Sequence, residues 1–181
     1  MLACRRVTAP RRALSHAISE GDGISLIVEV DGPDAARAAE QDGAEALLVT
    51  GADLESIRAT CQLPLLAYFE RTGDAADALI VLPDVEWSAA RAETGETIEL
   101  AVWIEREEEL EQALELHDPE LLVLAARDRD NPLEHVLALL SDVPAGKLAI
   151  ADLGHTTDAE IAELERAGCD AVLVGVLTHA G

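Results

Sequence analysis

Leu148–Gly175 reads LAIADLGHTTDAEIAELERAGCDAVLVG and contains one complete strand–helix–strand unit. Leu148–Asp152 and Ala171–Val174 are short apolar runs, and between them lies an Ala/Glu/Arg stretch with helical spacing. Thr157 followed by Glu160 is a capping-box pattern, in which a hydroxyl and a carboxylate satisfy backbone N–H groups at a helix start. Gly168 stands where a helix must stop before the next strand. Apolar runs of this length, separated by helices, predict strands buried on both faces of a parallel sheet.

The same texture repeats upstream. Six earlier apolar runs, Ser25–Val30, Ala46–Thr50, Leu65–Tyr68, Ala78–Leu82, Leu100–Ile104 and Leu121–Ala125, bring the count to eight. Helical stretches start near Pro33, Asp53, Pro83, Glu107, Asn131 and Thr157, and Gly43 and Gly146 precede the second and seventh strands. Arg71–Ala76, between the third and fourth strands, is too short for an ordinary crossover helix. Eight strands in βα order build either a closed barrel or an open doubly wound sheet. Eight is the closing number, and no G-x-G-x-x-G follows the first strand to favour the dinucleotide-binding alternative. The expectation is an α/β fold, a compact (β/α)8 TIM barrel with a shortened or missing third helix and no C-terminal eighth helix. Residues 1–181 form a single domain in this reading, with the barrel over 24–178. Residues 1–22 are an N-terminal extension carrying a short helix at Pro10–Ser19, which either plugs the barrel bottom or covers the gap left by the last helix. Such barrels usually take about 250 residues, so 181 implies trimming throughout.

Composition narrows the partners. The 36 acidic and 13 basic side chains give a net charge of -23, which opposes binding to nucleic acid and to anionic membranes. The acidity is that of a well-solvated surface. No apolar run approaches the ~20 residues of a membrane helix. Arginines at Arg5, Arg6, Arg11 and Arg12 lack the apolar region of a secretory signal. Cys4, Cys61 and Cys169 are odd in number and without metal-ligand spacing, so they read as reduced thiols of a cytoplasmic protein. The chain is expected to be a monomer or a homodimer.

Ile150–His155 followed by Ala167–Gly175 resembles the closing half of the indole-3-glycerol phosphate synthases. In that family the seventh strand ends in an acidic–Ser–Gly triplet and the eighth reads Gly-Ala-Asp-Ala-x-Leu-Val-Gly. Gly43–Ala44 with Leu47–Thr50, Leu63–Leu66, Asp77–Ile80, Glu109–Leu114 and Arg127–Asp128 fall into the same order, so the resemblance covers roughly residues 24 to 178. It implies a carbon–carbon lyase of tryptophan biosynthesis, acting without metal or organic cofactor on a phosphorylated small molecule. The loops after strands seven and eight hold phosphate in many such barrels. Backbone N–H groups approach a phosphate closely only where a Cβ is absent, which makes Gly154 and Gly175 the phosphate-binding candidates.

The resemblance departs from the family where the chemistry lies. The first-strand Glu-x-Lys reads Glu29–Val30–Asp31, and the third-strand lysine position holds Tyr68. Trp103 stands at the fifth-strand Glu, Ala125 at the sixth-strand Asn, Asp152 at the seventh-strand acid and Leu153 at its Ser; Val176 or Leu177 falls at the eighth-strand Ser. Ring closure needs a general acid, a general base and charge stabilisation. A phenol with pKa near 10 does not replace a cationic acid. The catalytic candidates are therefore Glu29 and Asp152, with Arg127 and His155 as substrate-binding candidates. Asp152, His155 and His179 lack a further spacing cue for a metal. Three functions follow: a synthase-like barrel that binds a phosphorylated sugar with synthase activity lost or weakened; a non-catalytic phosphometabolite-binding or protein-interaction scaffold; or a different phosphosugar enzyme using Glu29 and Asp152.

Overall fold

The computed structural model describes residues 13–51, 53–71, 75–83 and 85–175. Eight parallel strands close into a barrel in chain order: β1 (Ser25–Val30), β2 (Ala46–Val49), β3 (Leu65–Tyr68), β4 (Ala78–Val81), β5 (Glu99–Ile104), β6 (Leu121–Ala125), β7 (Leu148–Asp152) and β8 (Ala171–Val174). The barrel shuts where β8 pairs with β1, Leu173 standing beside Ile27. The sequence placed every strand to within one residue at either end, because strands buried on both faces are written as unbroken Val/Ile/Leu runs.

Seven helices stand among the described residues: α1 (Leu14–Ser19), α2 (Pro33–Gln41), α3 (Leu54–Arg58), α4 (Val85–Thr94), α5 (Glu107–Leu116), α6 (Pro132–Ser141) and α7 (Asp158–Arg166). Their starts follow the expected chemistry. The Asp53 side chain accepts from the Glu55 N–H at the start of α3, and Thr157 and Glu160 form the full capping box of α7. Between β3 and β4 the described residues form only a 3-10 turn, Phe69–Arg71. The shortened crossover is thus observed. Residues 176–181, on which the expectation of no closing helix falls, lie outside the described residues, as do residues 1–12 with Cys4; the helix expected over Pro10–Ser19 begins only at Leu14, because Ala13 before it is extended.

Alternation along each strand builds two cores. Leu47, Val49, Leu65, Val81, Val102 and Leu124 face outward under the helices. Ile27, Leu48, Leu66, Val123, Ile150 and Leu173 fill the barrel interior. Leu14 and Ile18 of α1 belong to that interior cluster, so α1 plugs the bottom of the barrel. The Ser15 backbone N–H donates to Glu99 Oε2 at 3.2 Å and its hydroxyl donates to Oε1, while Ser25 Oγ donates to the Ile18 carbonyl at 3.4 Å. With the bottom closed, the C-terminal ends of the strands form the open mouth.

A buried polar clamp stands beside the short β3–β4 connection. The Asp77 carboxylate accepts from the Leu65 N–H at 2.8 Å and pairs with the Arg58 guanidinium. Arg58 also donates to the carbonyls of Leu63, at 3.0 Å, and Ala75, at 3.2 Å. One side chain from α3 thereby ties the segment entering β3 to the segment entering β4, at the bottom of the barrel.

Candidate functional site

The parity that sends Ile27, Leu66, Ala101 and Ile150 into the barrel sends Glu29, Tyr68, Trp103 and Asp152 to its mouth. Arg127, two residues past β6, reaches across them. Its Nε donates to both oxygens of Asp152, at 2.8 and 2.7 Å, and its Nη2 donates to Glu29 Oε2 at 3.3 Å. Asp152 Oδ1 also accepts from the Gly154 N–H at 3.1 Å. The Asp152 side chain is 1% exposed, whereas Glu29 is 30% and Arg127 35% exposed. The arrangement is an acid–base triad with one cation between two carboxylates, closed toward Asp152 and open toward Glu29.

Burial dominates its electrostatics. Removal from water pushes the Asp152 carboxyl above its ordinary range, and the Arg127 guanidinium and Gly154 N–H reverse this only in part. Burial pulls Arg127 down, but hydrogen bonding to Asp152 and its charge leave the guanidinium raised. Burial also pushes the Tyr68 phenol up, and the charges of Asp152 and Glu29 push the same way against Arg127. Tyr68 therefore stays protonated and neutral at physiological pH, a hydrogen-bond donor at the position where the lysine was expected. Cys169, behind the wall, has its thiol pushed up to about 12 by burial, which leaves it no nucleophile.

Gly154 adopts φ +79°, and a Cβ there would come within 3.2 Å of Arg127 Cγ. Only glycine combines the left-handed backbone with that approach. Gly175 follows β8 at the open mouth, with nothing within 4 Å of where a Cβ would stand. His155 is exposed, in the loop that leads into α7. Among the described residues no hydrogen bond or ion pair joins His155 to Glu29 or Asp152. Of the sequence-derived candidates, the fold brings together Glu29, Asp152, Arg127, Gly154 and Tyr68. Val176, Leu177 and His179 lie outside the described residues.

A second feature escaped the sequence reading. Between the ends of β3, β4 and β5 lies a cleft of about 230 Å³, walled by Tyr68, Phe69, Ile80, Leu82 and Trp103 with Glu70 and Glu86. The Tyr68 and Trp103 rings are 6.1 Å apart and tilted by 56°, the offset edge-to-face geometry that aromatic quadrupoles favour. Trp103 Nε1 donates to Glu105 Oε1 at 3.1 Å. The available signal was scarcity: the chain has two Trp, one Tyr and one Phe, and three of those four rings line this cleft.

No family profile matches the chain. Individual proteins do. Indole-3-glycerol phosphate synthase of Acidithiobacillus ferrooxidans is 31% identical over 147 residues, covering 69% of this chain and 54% of that enzyme. The synthase of a Polaromonas species is 33% identical over 140 residues, covering 67% and 52%. The chain spans about half the length of these relatives. Among solved structures, phosphonopyruvate hydrolase superposes with a TM-score of 0.66 at 16% identity, over 90% of this chain and 78% of that one. A 2,3-dimethylmalate lyase gives 0.61 at 15%, over 89% and 79%. At such identities these two report the barrel alone. No helix among the described residues is long and apolar enough to cross a membrane.

Proposed function

Because this chain is a distant homologue of the indole-3-glycerol phosphate synthases, we propose that it is a cytoplasmic barrel of that descent. Its mouth binds a phosphorylated small molecule without closing an indole ring. The observation that carries this reading is the triad: Arg127 is held by Asp152 and Glu29 together. Glu29, the candidate base, is thereby engaged, and two carboxylates outweigh the one cation between them. Asp31 and neutral Tyr68 occupy the places where the resemblance expects lysines, so no ammonium is available there as acid.

The phosphate end is assigned to the loops after β7 and β8. Gly175 leaves its backbone open to close approach, while Gly154 gives its N–H to Asp152 and its open face to Arg127, and so serves the site by letting that side chain pass. The Thr156 hydroxyl is buried and without a hydrogen-bond partner among the described residues. Arg127 uses Nε and Nη2 within the triad, which leaves Nη1 to meet an anion, and exposed His155 stands beside the same loop. The different phosphosugar enzyme using Glu29 and Asp152 draws support from one observation, the raised Asp152 carboxyl, since acid–base residues are tuned in this way.

The test uses the anilino-deoxyribulose phosphate that the family resemblance implies as substrate. Equilibrium binding of this compound is expected to saturate and to be displaced by inorganic phosphate, while indole fluorescence stays flat at high protein concentration. Indole formation that disappears in Glu29→Gln overturns the reading. Absence of phosphate-displaceable binding removes its ligand.

A further inference from the structure

We propose that the cleft between the ends of β3, β4 and β5 is a binding site for a small aromatic amine, its ring against Trp103 and Tyr68 and its ammonium toward Glu70 and Glu86. The aromatic distribution is the first argument. Three of the chain's four aromatic rings, Tyr68, Phe69 and Trp103, surround one cavity of about 230 Å³. Elsewhere the core is packed with Leu, Ile, Val and Ala, so these rings are not the fold's general filler. A cavity of this size is below the ~300 Å³ of drug-sized sites and suits a fragment with a single ring system.

Charge supplies the second argument. The wall contains the carboxylates Glu70 and Glu86, and none of its described lining residues is basic. Glu86 also caps the Leu82 N–H at 2.7 Å, which holds it in place beside the cavity. Glu105 is fixed at the Trp103 indole N–H, and beyond Tyr68 the Arg127 cation faces the cleft only together with the Asp152 and Glu29 carboxylates that hold it. An anionic ligand meets two wall carboxylates here with no basic residue among the described lining. A cation gains both the carboxylates and the negative faces of Trp103 and Tyr68.

The proposal goes beyond the phosphate-binding reading, which concerns the loops after β7 and β8. In a closed barrel of this order β4 lies across from β8, so each site can fail without the other.

The experiment titrates the Trp87→Phe protein, which leaves Trp103 as its sole tryptophan, with three near-isosteric probes: 2-phenylethylamine, 2-phenylethanol and 3-phenylpropanoate. Trp103 fluorescence is expected to respond to the amine at millimolar concentration or below, with at least about ten-fold preference over the carboxylate. Glu70→Gln/Glu86→Gln should weaken the amine about five-fold and leave the alcohol unchanged, as removal of two partly exposed ion-pair partners requires. Higher salt should reproduce that loss. Circular dichroism checks that each variant keeps its fold. Equal affinity for all three probes reduces the cleft to a merely apolar crevice and overturns the proposal. Preference for the carboxylate, or no saturable response from any probe, overturns it as well. Loss of phosphate-displaceable binding with amine binding intact leaves this proposal standing and removes the other.

Discussion

On the side of the mouth where β1, β6 and β7 end, charge is paired and, at Asp152, buried: Asp152, Arg127 and Glu29 satisfy one another. On the side where β3, β4 and β5 end, aromatic rings and carboxylates surround a cleft, and the strands that carry it are tied at their opposite ends, at the bottom of the barrel, by Arg58 and Asp77. The first side uses its polar groups to hold itself together. The second commits its carboxylates to single N–H groups at the rim, Glu86 to Leu82 and Glu105 to Trp103, and leaves its apolar surface open. A ligand on the first side must add to an existing ion-pair network, and a ligand on the second meets a cavity ready to receive it.

The largest expected effect tests whether the strands that carry the aromatic side depend on the clamp at their opposite ends. Asp77→Ala leaves the Arg58 guanidinium, largely buried, without its counter-charge and the Leu65 N–H without its acceptor. Removing one member of a buried, hydrogen-bonded pair costs about 4 kcal/mol. Urea denaturation should show that loss. A loss below about 1 kcal/mol, the scale of an ordinary surface pair, would mean that the short connection supports itself.

Arg127→Met applies the same test to the charged side. It strands Asp152 in a nearly dry position, and with Arg127 a third exposed the expected loss is about 3 kcal/mol. Adding Asp152→Leu should recover most of it, because the penalty comes from the uncompensated carboxylate. If the double variant is no better than the single, the triad's value lies in packing, and the contrast between the two sides narrows.

The pH dependence of Asp152 gives a smaller effect. Burial raises its carboxyl, so the folded state holds this proton more tightly than the unfolded chain does. Its stability contribution is therefore greatest below the unfolded value and is lost as pH rises through the folded one. Against Asp152→Asn, the wild-type protein should gain stability on acidification from neutral to about pH 4, near the ordinary carboxylate range. A constant difference across that range would mean that Arg127 fully offsets the burial.

How much of this was legible in the chain depended on range. Strands buried on both faces announce themselves as apolar runs, and the Thr157–Glu160 cap is a local signature, so the barrel could be read residue by residue. Glu29, Arg127 and Asp152 each stood out at strand ends, yet no spacing rule joins positions 98 and 25 residues apart into one triad. The Asp77–Arg58 clamp was invisible for the same reason. Asp77 stood at the start of a strand in the family resemblance and Arg58 carried no signal of its own, and only the pairing of β3 with β4 makes them meet. The N-terminal helix could be given a shape but two destinations, and the packing of Leu14 and Ile18 decides for the bottom.

Thr157→Ala carries the smallest expected effect and separates the two sides most cleanly. The Thr157 hydroxyl accepts from the Glu160 N–H at 3.3 Å, and the Glu160 carboxylate accepts from the Thr157 N–H at 2.8 Å. Loss of such a cap costs about 1 kcal/mol. The Thr157 N–H and hydroxyl hold the Glu160 carboxyl below its ordinary range, so this stabilisation is present above the ordinary carboxylate range and fades as pH falls through the lowered value. The cost of Thr157→Ala should shrink accordingly in acid. Because α7 follows the loop carrying Gly154 and Thr156, the variant should also weaken phosphate-displaceable binding by a few-fold. Amine binding across the barrel should not change. Equal weakening of both would mean that the two sides of the mouth move as one, and that the division drawn between them is not a functional one.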